Sequence, residues 1–335
     1  MDYCSLGHTG VQVSPLCLGC MNFGWRTNEQ DSVQIIHHAL EMGINLVDTA
    51  DMYGKGASEE ILGKALKQSG RRDKIVLATK VHYPMSDDPN ARGSSRRHII
   101  EGCEASLRRL QTDYIDLYQL HDPSAEVPID ETLRALDDLI QRGWVRYIGA
   151  SSFAAWEIVE ALWVSKEYRL NRFISEQPPY NLLDRRIERE LIPMAETYGI
   201  GLLVWSPLAM GFLTGRYRRS EPAPTDSRFH IFSQDWWKEH HIDAAYDVVE
   251  EVEKLSAEKG CTPTQLNLAW CMQQPGVTSV IIGPRTIEQL KDCLSALKVS
   301  ILGKELKCLD EIAPPGRMTV PYYKNDGWRP HQFQW

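Results

Sequence analysis

The chain has 335 residues, of which 43% are hydrophobic and 24% charged, and its formal net charge is −8 at pH 7. This hydrophobic content supports a large core and argues against intrinsic disorder, while the acidic balance argues against a general nucleic-acid binder. No apolar run reaches the ~18 residues of a membrane span. The N-terminus lacks the basic and apolar regions of a signal peptide, so we expect a cytoplasmic protein.

Short apolar runs alternate with longer amphipathic ones along the chain, after a small hairpin over residues 1–13 that turns at Gly10. The predicted strands are Leu16–Gly19, Asn45–Asp48, Ile75–Lys80, Tyr114–His121, Val145–Ala150, Phe173–Glu176, Gly201–Trp205 and Ser279–Ile282. The predicted helices are Glu29–Met42, one that begins at Ser58, Ser95–Arg109, Asp130–Gln141, Phe153–Ser165, Ile187–Tyr198, Ile242–Lys259, Pro263–Gln273 and Thr286–Leu297.

Eight strand-helix units predict a parallel sheet with right-handed crossovers. Closure of eight such strands makes a (β/α)8 TIM barrel, and we expect residues 1–335 to form one such domain. The competing fold is the open doubly wound sheet, which usually carries a glycine-rich first turn. The first turn here, Leu18–Gly24, does not match G-x-G-x-x-G, and the nearest approach, Gly54–Glu59, lacks the third glycine.

Two segments depart from the strand-helix rhythm. A long irregular segment over about residues 206–237 follows the seventh strand, and a loop of this length in a compact domain is expected to be functional. The C-terminal tail, residues 313–335, is rich in Pro, Tyr and Trp. We expect it to lie over or beside the barrel mouth, although it could equally pack on the outside of the barrel or on a partner chain.

Four polar side chains fall at or just past the ends of predicted strands: Asp48, Tyr53, Lys80 and His121. The C-terminal ends of neighbouring parallel strands converge on one mouth. There a lysine ammonium stabilises a phenolate and lowers the pKa of the tyrosine, and a carboxylate keeps that lysine charged. Taken singly, the four residues have ordinary explanations as turn, packing or solvated residues. Together, in this order, they favour a site that delivers a proton to a carbonyl oxygen.

The segments Val47–Gly54, Thr79–Val81 and Leu120–Pro123 resemble the signature of the aldo-keto reductase superfamily. The resemblance implies that Tyr53 is the acid, that Lys80 and Asp48 activate it, and that His121 orients the substrate oxygen. It also implies that hydride comes from NADPH. Histidine rather than glutamate at position 121 implies reduction of a carbonyl rather than of a carbon-carbon double bond.

The resemblance covers nearly the whole chain and implies a binding site for NADPH. Ser151 and Gln177 would hold the nicotinamide amide, with Ser152 in the place of the usual Asn. Trp205 would stack on the nicotinamide ring, although core packing is the ordinary reading of a tryptophan at a strand end. The loop Ser206–Gly215 would cover the pyrophosphate, because its small residues permit close backbone approach.

Further residues complete the implied cofactor site. Arg216, Ser227 and Arg228 match the long loop that folds over the cofactor, where an arginine could also be a solvated charge. Arg285 lies where the last helix begins, and both features favour a phosphate. The full expected set is Gly19, Met21, Asp48, Ser151, Ser152, Gln177, Trp205, Ser206, Leu208, Gly211, Arg216, Ser227, Arg228, Gly283, Arg285, Gln289 and Asp292. Cys293 stands where the family usually has Asn, so one adenine contact is expected to be lost or replaced.

No metal site is expected. The eight cysteines are scattered and are read as reduced thiols. Cys17 and Cys20 form a lone C-x-x-C pair on a predicted buried strand, without a nearby His. The pairs His37-His38 and His240-His241 are adjacent, unlike the His-x-His of metal-dependent barrel hydrolases. Trp236-Trp237 could belong to loop packing or to a lid.

The expected substrate is a small carbonyl compound. Trp25 and Tyr83, with Tyr53 and His121, would line the barrel mouth, and such aromatic walls suit a sugar, a steroid-like polycycle or an aryl ketone. No nucleic acid or membrane partner is expected, and a homo-oligomer is compatible with the sequence. The alternative function is that of a cofactor-binding regulatory subunit with slow turnover, resembling potassium-channel β subunits.

Overall fold

The structure is a computed structural model that describes residues 1–219, 221–225, 227 and 242–320. Eight parallel strands close a barrel in the order β10-β3-β4-β5-β6-β7-β8-β9. Their bounds are β3 Leu16–Gly19, β4 Leu46–Asp48, β5 Val76–Val81, β6 Ile115–Leu120, β7 Val145–Ser151, β8 Phe173–Gln177, β9 Gly201–Val204 and β10 Val277–Ile282. The predicted (β/α)8 barrel and all eight predicted strands are confirmed.

The N-terminal hairpin is confirmed as well. Strand β1 (Cys4–Ser5) pairs antiparallel with β2 (Gln12–Val13). Leu6 and Val13 of this hairpin are fully buried against the barrel's inner apolar cluster, which includes Cys17 of β3. The hairpin therefore packs against the interior of the barrel, and the polar ends of the strands are free to form a site elsewhere.

Helices surround the barrel and bury their apolar faces against it in one large core cluster. Their bounds are Glu29–Glu41, Ala57–Ser69, Arg96–Leu110, Ile129–Gln141, Ala155–Tyr168, Leu191–Tyr198, Asp243–Lys259, Pro263–Met272, Ile287–Ser295 and Gly303–Ile312. Side-chain caps explain where several of these helices begin. Asn28 accepts a hydrogen bond from the Asp31 amide and Ser95 accepts one from the His98 amide. No helix in the described ranges has both the length and the apolarity needed to cross a membrane.

Two helix predictions need correction, and one helix was not predicted. The predicted helix from Ile187 begins instead at Leu191, after a 3-10 turn at Arg186–Glu188. Pro193 explains this, because proline is tolerated only in the first turn of a helix. The helix Gly303–Ile312 was not predicted, since it follows the eighth strand-helix unit and the repeat gives no reason for it. The predicted helix Phe153–Ser165 runs from Ala155 to Tyr168.

The two irregular segments are partly described. Residues 209–214 of the long loop form a tight turn with left-handed backbone at Met210 and Gly211, and Tyr217 beyond it is buried. The tail begins beside the segment after β8: the Thr319 amide donates to the Leu183 carbonyl at 2.8 Å, and Val320 is fully buried. Trp236-Trp237, His240-His241 and the aromatic part of the tail lie outside the described residues.

Candidate active site

The four signature side chains lie at one end of the barrel, as expected for the ends of parallel strands. Asp48 is the last residue of β4, Lys80 lies in β5, and His121 directly follows β6. Tyr53 begins a 3-10 turn, Tyr53–Gly56, that connects β4 to the next helix. Asp48, Tyr53 and His121 line a cleft of about 1060 Å³, whereas Lys80 is fully buried and is not part of that lining.

Lys80 links the acid to the phenol. Its Nζ lies 2.5 Å from Asp48 Oδ1, 2.8 Å from the Thr49 carbonyl and 3.5 Å from Tyr53 Oη. Lys80 and Asp48 are both buried. Burial alone would lower the pKa of Lys80, but the Asp48 carboxylate and the Tyr53 oxygen outweigh it and raise that pKa above its usual value. The lysine is therefore held as an ammonium beside the phenol.

Two amide side chains hold the other oxygen of the acid. Gln177 Nε2 lies 2.8 Å and Gln119 Nε2 lies 3.1 Å from Asp48 Oδ2. Gln119 was missed by the sequence analysis, although it lies two residues before His121 and so shares its side of β6. Gln177 was expected on the nicotinamide amide, and the structure brings it to the cleft wall. Its Nε2 donates to Asp48 and also to Gln119 Oε1 at 3.2 Å, which leaves its own Oε1 as the group that could accept from a nicotinamide amide.

His121 is held as a neutral imidazole. Burial lowers its pKa well below the usual value, and the charges of Lys80 and His82 lower it further. Its Nδ1 is buried and has no hydrogen-bond partner among the described residues. A buried N–H without an acceptor is costly, so we assign the proton to Nε2, which makes that nitrogen a donor.

Aromatic rings surround His121. The Tyr53 and Tyr83 rings meet it edge-on, with centroids at 5.6 and 4.9 Å. The Tyr83 hydroxyl donates to Asp122 Oδ2 at 3.1 Å. Trp25, whose side chain is 55% exposed, lies at the rim of the same cleft. The structure thus brings the predicted substrate residues together.

The rest of the cleft gathers most of the expected cofactor residues. Fifteen of the seventeen line it: Gly19, Met21, Asp48, Ser151, Ser152, Gln177, Trp205, Ser206, Leu208, Gly211, Arg216, Gly283, Arg285, Gln289 and Asp292. Ser227 is buried and is not part of this lining. Arg228 lies outside the described residues.

Trp205 and Ser151 are fixed through the backbone of β8. Trp205 Nε1 donates to the Gln177 carbonyl at 3.1 Å, and Ser151 Oγ donates to the same carbonyl at 3.0 Å. Ser152 has φ +64°, in the left-handed region. Asparagine adopts that region more readily than serine does. Serine is therefore less favourable for this backbone conformation than the family's usual asparagine, and its side chain is also shorter.

The loop after β9 has an unusual backbone. Ser206, Ala209, Met210 and Gly211 all have positive φ, at 57°, 47°, 57° and 96°. The loop is closed on itself, because the Ala209 and Gly211 amides donate to the Ser206 and Leu208 carbonyls at 2.9 and 2.8 Å. Ser206, Leu208, Met210 and Gly211 line the cleft, where the sequence analysis expected the pyrophosphate.

The start of the last barrel helix is an anion-binding feature. Thr286 caps the helix Ile287–Ser295, and the Arg285 amide donates to Gln289 Oε1 at 2.8 Å. Within the described part of the chain, no carboxylate forms an ion pair with the Arg285 guanidinium. Asp292 Oδ1 already accepts hydrogen bonds from Thr262 at 2.9 Å and Gln265 at 2.6 Å. These two hydrogen bonds therefore hold the Asp292 carboxylate in place.

A buried ionic cluster supports the site from behind. Glu59 is fully buried and accepts hydrogen bonds from Arg109 Nε and Thr79 Oγ1, each at 2.6 Å. Asp51 is buried beside it, and its amide donates to the Lys80 carbonyl at 3.1 Å. Burial first, and then the charge of Glu59, raise the pKa of Asp51 to about 7. Sequence reasoning treated Glu59 only as a helix-start residue.

Comparison with known proteins agrees with the geometry. The model of the Aldo/keto reductase family matches residues 15–314. The chain is 40% identical to the uncharacterized oxidoreductase YrpG of Bacillus subtilis, over 96% of this chain and 99% of that protein. It is 38% identical to a probable voltage-gated potassium channel subunit beta of Arabidopsis thaliana, over 89% and 92% of the two chains. It is 36% identical to versiconal hemiacetal acetate reductase of Aspergillus parasiticus, over 93% and 96%.

Proposed function

This chain belongs to the aldo/keto reductase family, and from that premise we propose that it catalyses the NADPH-dependent reduction of an aldehyde or ketone to the alcohol. The observation that carries the proposal is the buried Lys80 ammonium, 2.5 Å from Asp48 and 3.5 Å from Tyr53 Oη, at the wall of an aromatic cleft. Such a pair is expensive to bury, and its position beside a phenol at the cleft suits proton transfer.

Each residue of the site has its own role in the proposed reaction. When bound, NADPH supplies the hydride. Tyr53 Oη donates its proton to the carbonyl oxygen as negative charge develops there, and Lys80 stabilises the phenolate that remains. The neutral His121 donates a hydrogen bond from Nε2 to the same oxygen and so fixes the carbonyl. Asp48, held by Gln119 and Gln177, keeps Lys80 in place.

The cofactor's anionic parts have matching groups at the other end of the cleft. The loop Ser206–Thr214 would lie against the pyrophosphate, and Trp205 would cover the nicotinamide. Arg285, which has no ion pair among the described residues, would bind the 2′-phosphate with its fork of donors. The support is the position of the loop on the cleft wall and of Arg285 at a helix start.

A regulatory role is the second candidate, and it is supported by likeness to a protein named as a probable channel subunit beta. Such a subunit could hold the same cofactor and turn over slowly. The turnover rate therefore distinguishes the two candidate functions better than cofactor binding does.

The test is a panel of carbonyl compounds, with sugar, steroid and aromatic members, in which NADPH oxidation is followed by absorbance. Typical enzymes turn over about 1–10³ times per second, and we expect at least one member to reach that range. Tight binding of NADPH with only trace oxidation across the panel would favour the regulatory role. Failure to bind NADPH would contradict both candidates.

A further inference from the structure

Lys55 stands at an unusual place in the cleft. It is the middle residue of three with positive φ: Gly54 at 58°, Lys55 at 53° and Gly56 at 97°. The left-handed region favours glycine, and non-glycine residues held there concentrate at functional sites. The Lys55 side chain is exposed and lines the cleft. In the part of the chain that the structure describes, no carboxylate forms an ion pair with its ammonium.

Lys55 lies next to the reacting groups. It follows Tyr53 by two residues, and two residues span at most about 7 Å between Cα atoms. Trp25, Met52 and Tyr83 line the same region, which we call the substrate end. A group held by Lys55 would therefore lie only a short spacer away from the carbonyl that Tyr53 protonates.

Among the described residues, two basic side chains line the substrate end, Lys55 and Arg26. Arg26 also lines a neighbouring pocket with Glu29 and Glu60, whereas Lys55 does not. The acid among the described lining residues of the substrate end is Asp122, which is buried and accepts the Tyr83 hydroxyl. Lys55 is therefore the cation on which binding of an anion at this end depends.

We propose that the substrate is an anionic carbonyl compound, an aldehyde or ketone that carries a carboxylate a short spacer away, and that Lys55 binds this carboxylate. The inference rests on the proposed function and adds the substrate class to it. A benzene ring is a suitable spacer, because Trp25 and Tyr83 provide aromatic walls for it. The acidic surface elsewhere would repel such a substrate, so local cations are needed to bind it.

The test compares 4-formylbenzoate with its neutral methyl ester at low ionic strength, with NADPH as the reductant. The measured quantity is the ratio of kcat/KM for the acid to that for the ester. The wild-type ratio should be about ten or more, as a charge-assisted hydrogen bond implies, and it should shrink with added salt because exposed charges are screened. Lys55→Met should lower the ratio towards one, and Lys55→Arg should keep most of it. Lys67→Met, an exposed lysine outside the cleft lining, is the matched control and should leave the ratio at its wild-type value.

Three results would overturn the inference. The first is a wild-type ratio near one, and the second is a ratio that Lys55→Met leaves unchanged. The third is an equal loss for acid and ester in Lys55→Met together with weaker NADPH binding, which would mean that Lys55 holds the cofactor. If neither aldehyde is reduced, the proposed function fails. The anion site is then judged by whether benzoate, but not methyl benzoate, binds the NADP⁺-loaded protein in a Lys55-dependent way.

Discussion

Asp51 allows a quantitative prediction about stability. The change is Asp51→Asn, which keeps the size of the side chain and removes its ability to ionise. Burial and the charge of Glu59 raise the pKa of Asp51 from 3.8 to about 7 in the folded protein. Between these two values the unfolded chain releases the proton while the folded chain keeps it. The stability that this proton contributes is complete below the unfolded pKa and is lost as pH rises through the folded pKa.

The size of the effect follows from the shift. Each pKa unit is worth about 1.36 kcal/mol, so between about pH 5 and about pH 8 the wild type should lose ~2–3 kcal/mol that the asparagine variant does not lose. Titrating groups that do not interact with Asp51 are shared by the two proteins and cancel in the difference. The variant should therefore gain stability relative to the wild type as pH rises.

The assay is urea unfolding followed by tryptophan fluorescence over this pH range. Asp113→Asn, at an exposed position, is the matched control and should track the wild type. A stability difference between Asp51→Asn and the wild type that stays constant with pH would refute the reasoning, because it would mean that Asp51 is ionised throughout in the folded protein.

The remaining predictions concern the site. Lys80→Met should abolish NADPH-dependent turnover and lower the free energy of unfolding by about 3–5 kcal/mol, because it leaves Asp48 as an unpaired buried charge. The double variant Lys80→Met with Asp48→Asn should recover the stability but not the turnover. Normal turnover in either variant would contradict the proposed role of Lys80. Arg285→Ala should weaken the affinity for NADPH by roughly ten- to a hundredfold and the affinity for NADH much less. The dissociation constants are measured by fluorescence quenching, with Lys291→Ala as the control. Equal weakening of both affinities would mean that Arg285 does not bind the 2′-phosphate. Ser152→Asn should raise the free energy of unfolding, by part of the about 1–3 kcal/mol that a non-glycine residue costs in the left-handed region, since asparagine adopts that region more readily. A destabilised variant in urea unfolding would show that the backbone at Ser152 is not strained in this way.

The sequence predicted the parts of the site that follow from strand ends. The alternation of strands and helices was enough to predict the barrel, and the barrel brings Asp48, Lys80 and His121 to one mouth. Most of the expected cofactor residues line one cleft for the same reason. The roles of these residues stay predictions until variants are measured.

What the sequence did not predict depends on contacts between distant elements. Gln119 and Gln177 meet at Asp48 across three strands, and no local pattern marks an amide as the support of a carboxylate. Glu59 reads as a helix-start residue until Arg109, 50 positions away, is placed against it. The left-handed backbone at Lys55 is equally invisible, because the flanking glycines signal a turn but not which side chain it presents to the cleft.

The central claim is that Tyr53 is the acid of a carbonyl reductase. The most direct measurement is single-turnover oxidation of bound NADPH by an accepted aldehyde in the wild type, in Tyr53→Phe and in the control Tyr168→Phe, at an exposed position on an outer helix. We expect Tyr53→Phe to bind NADPH as tightly as the wild type, while its rate of reduction falls by about 10²–10⁴-fold, the usual worth of a general acid. Tyr168→Phe should react at the wild-type rate. A rate in Tyr53→Phe close to that of the wild type would mean that Tyr53 is not the acid.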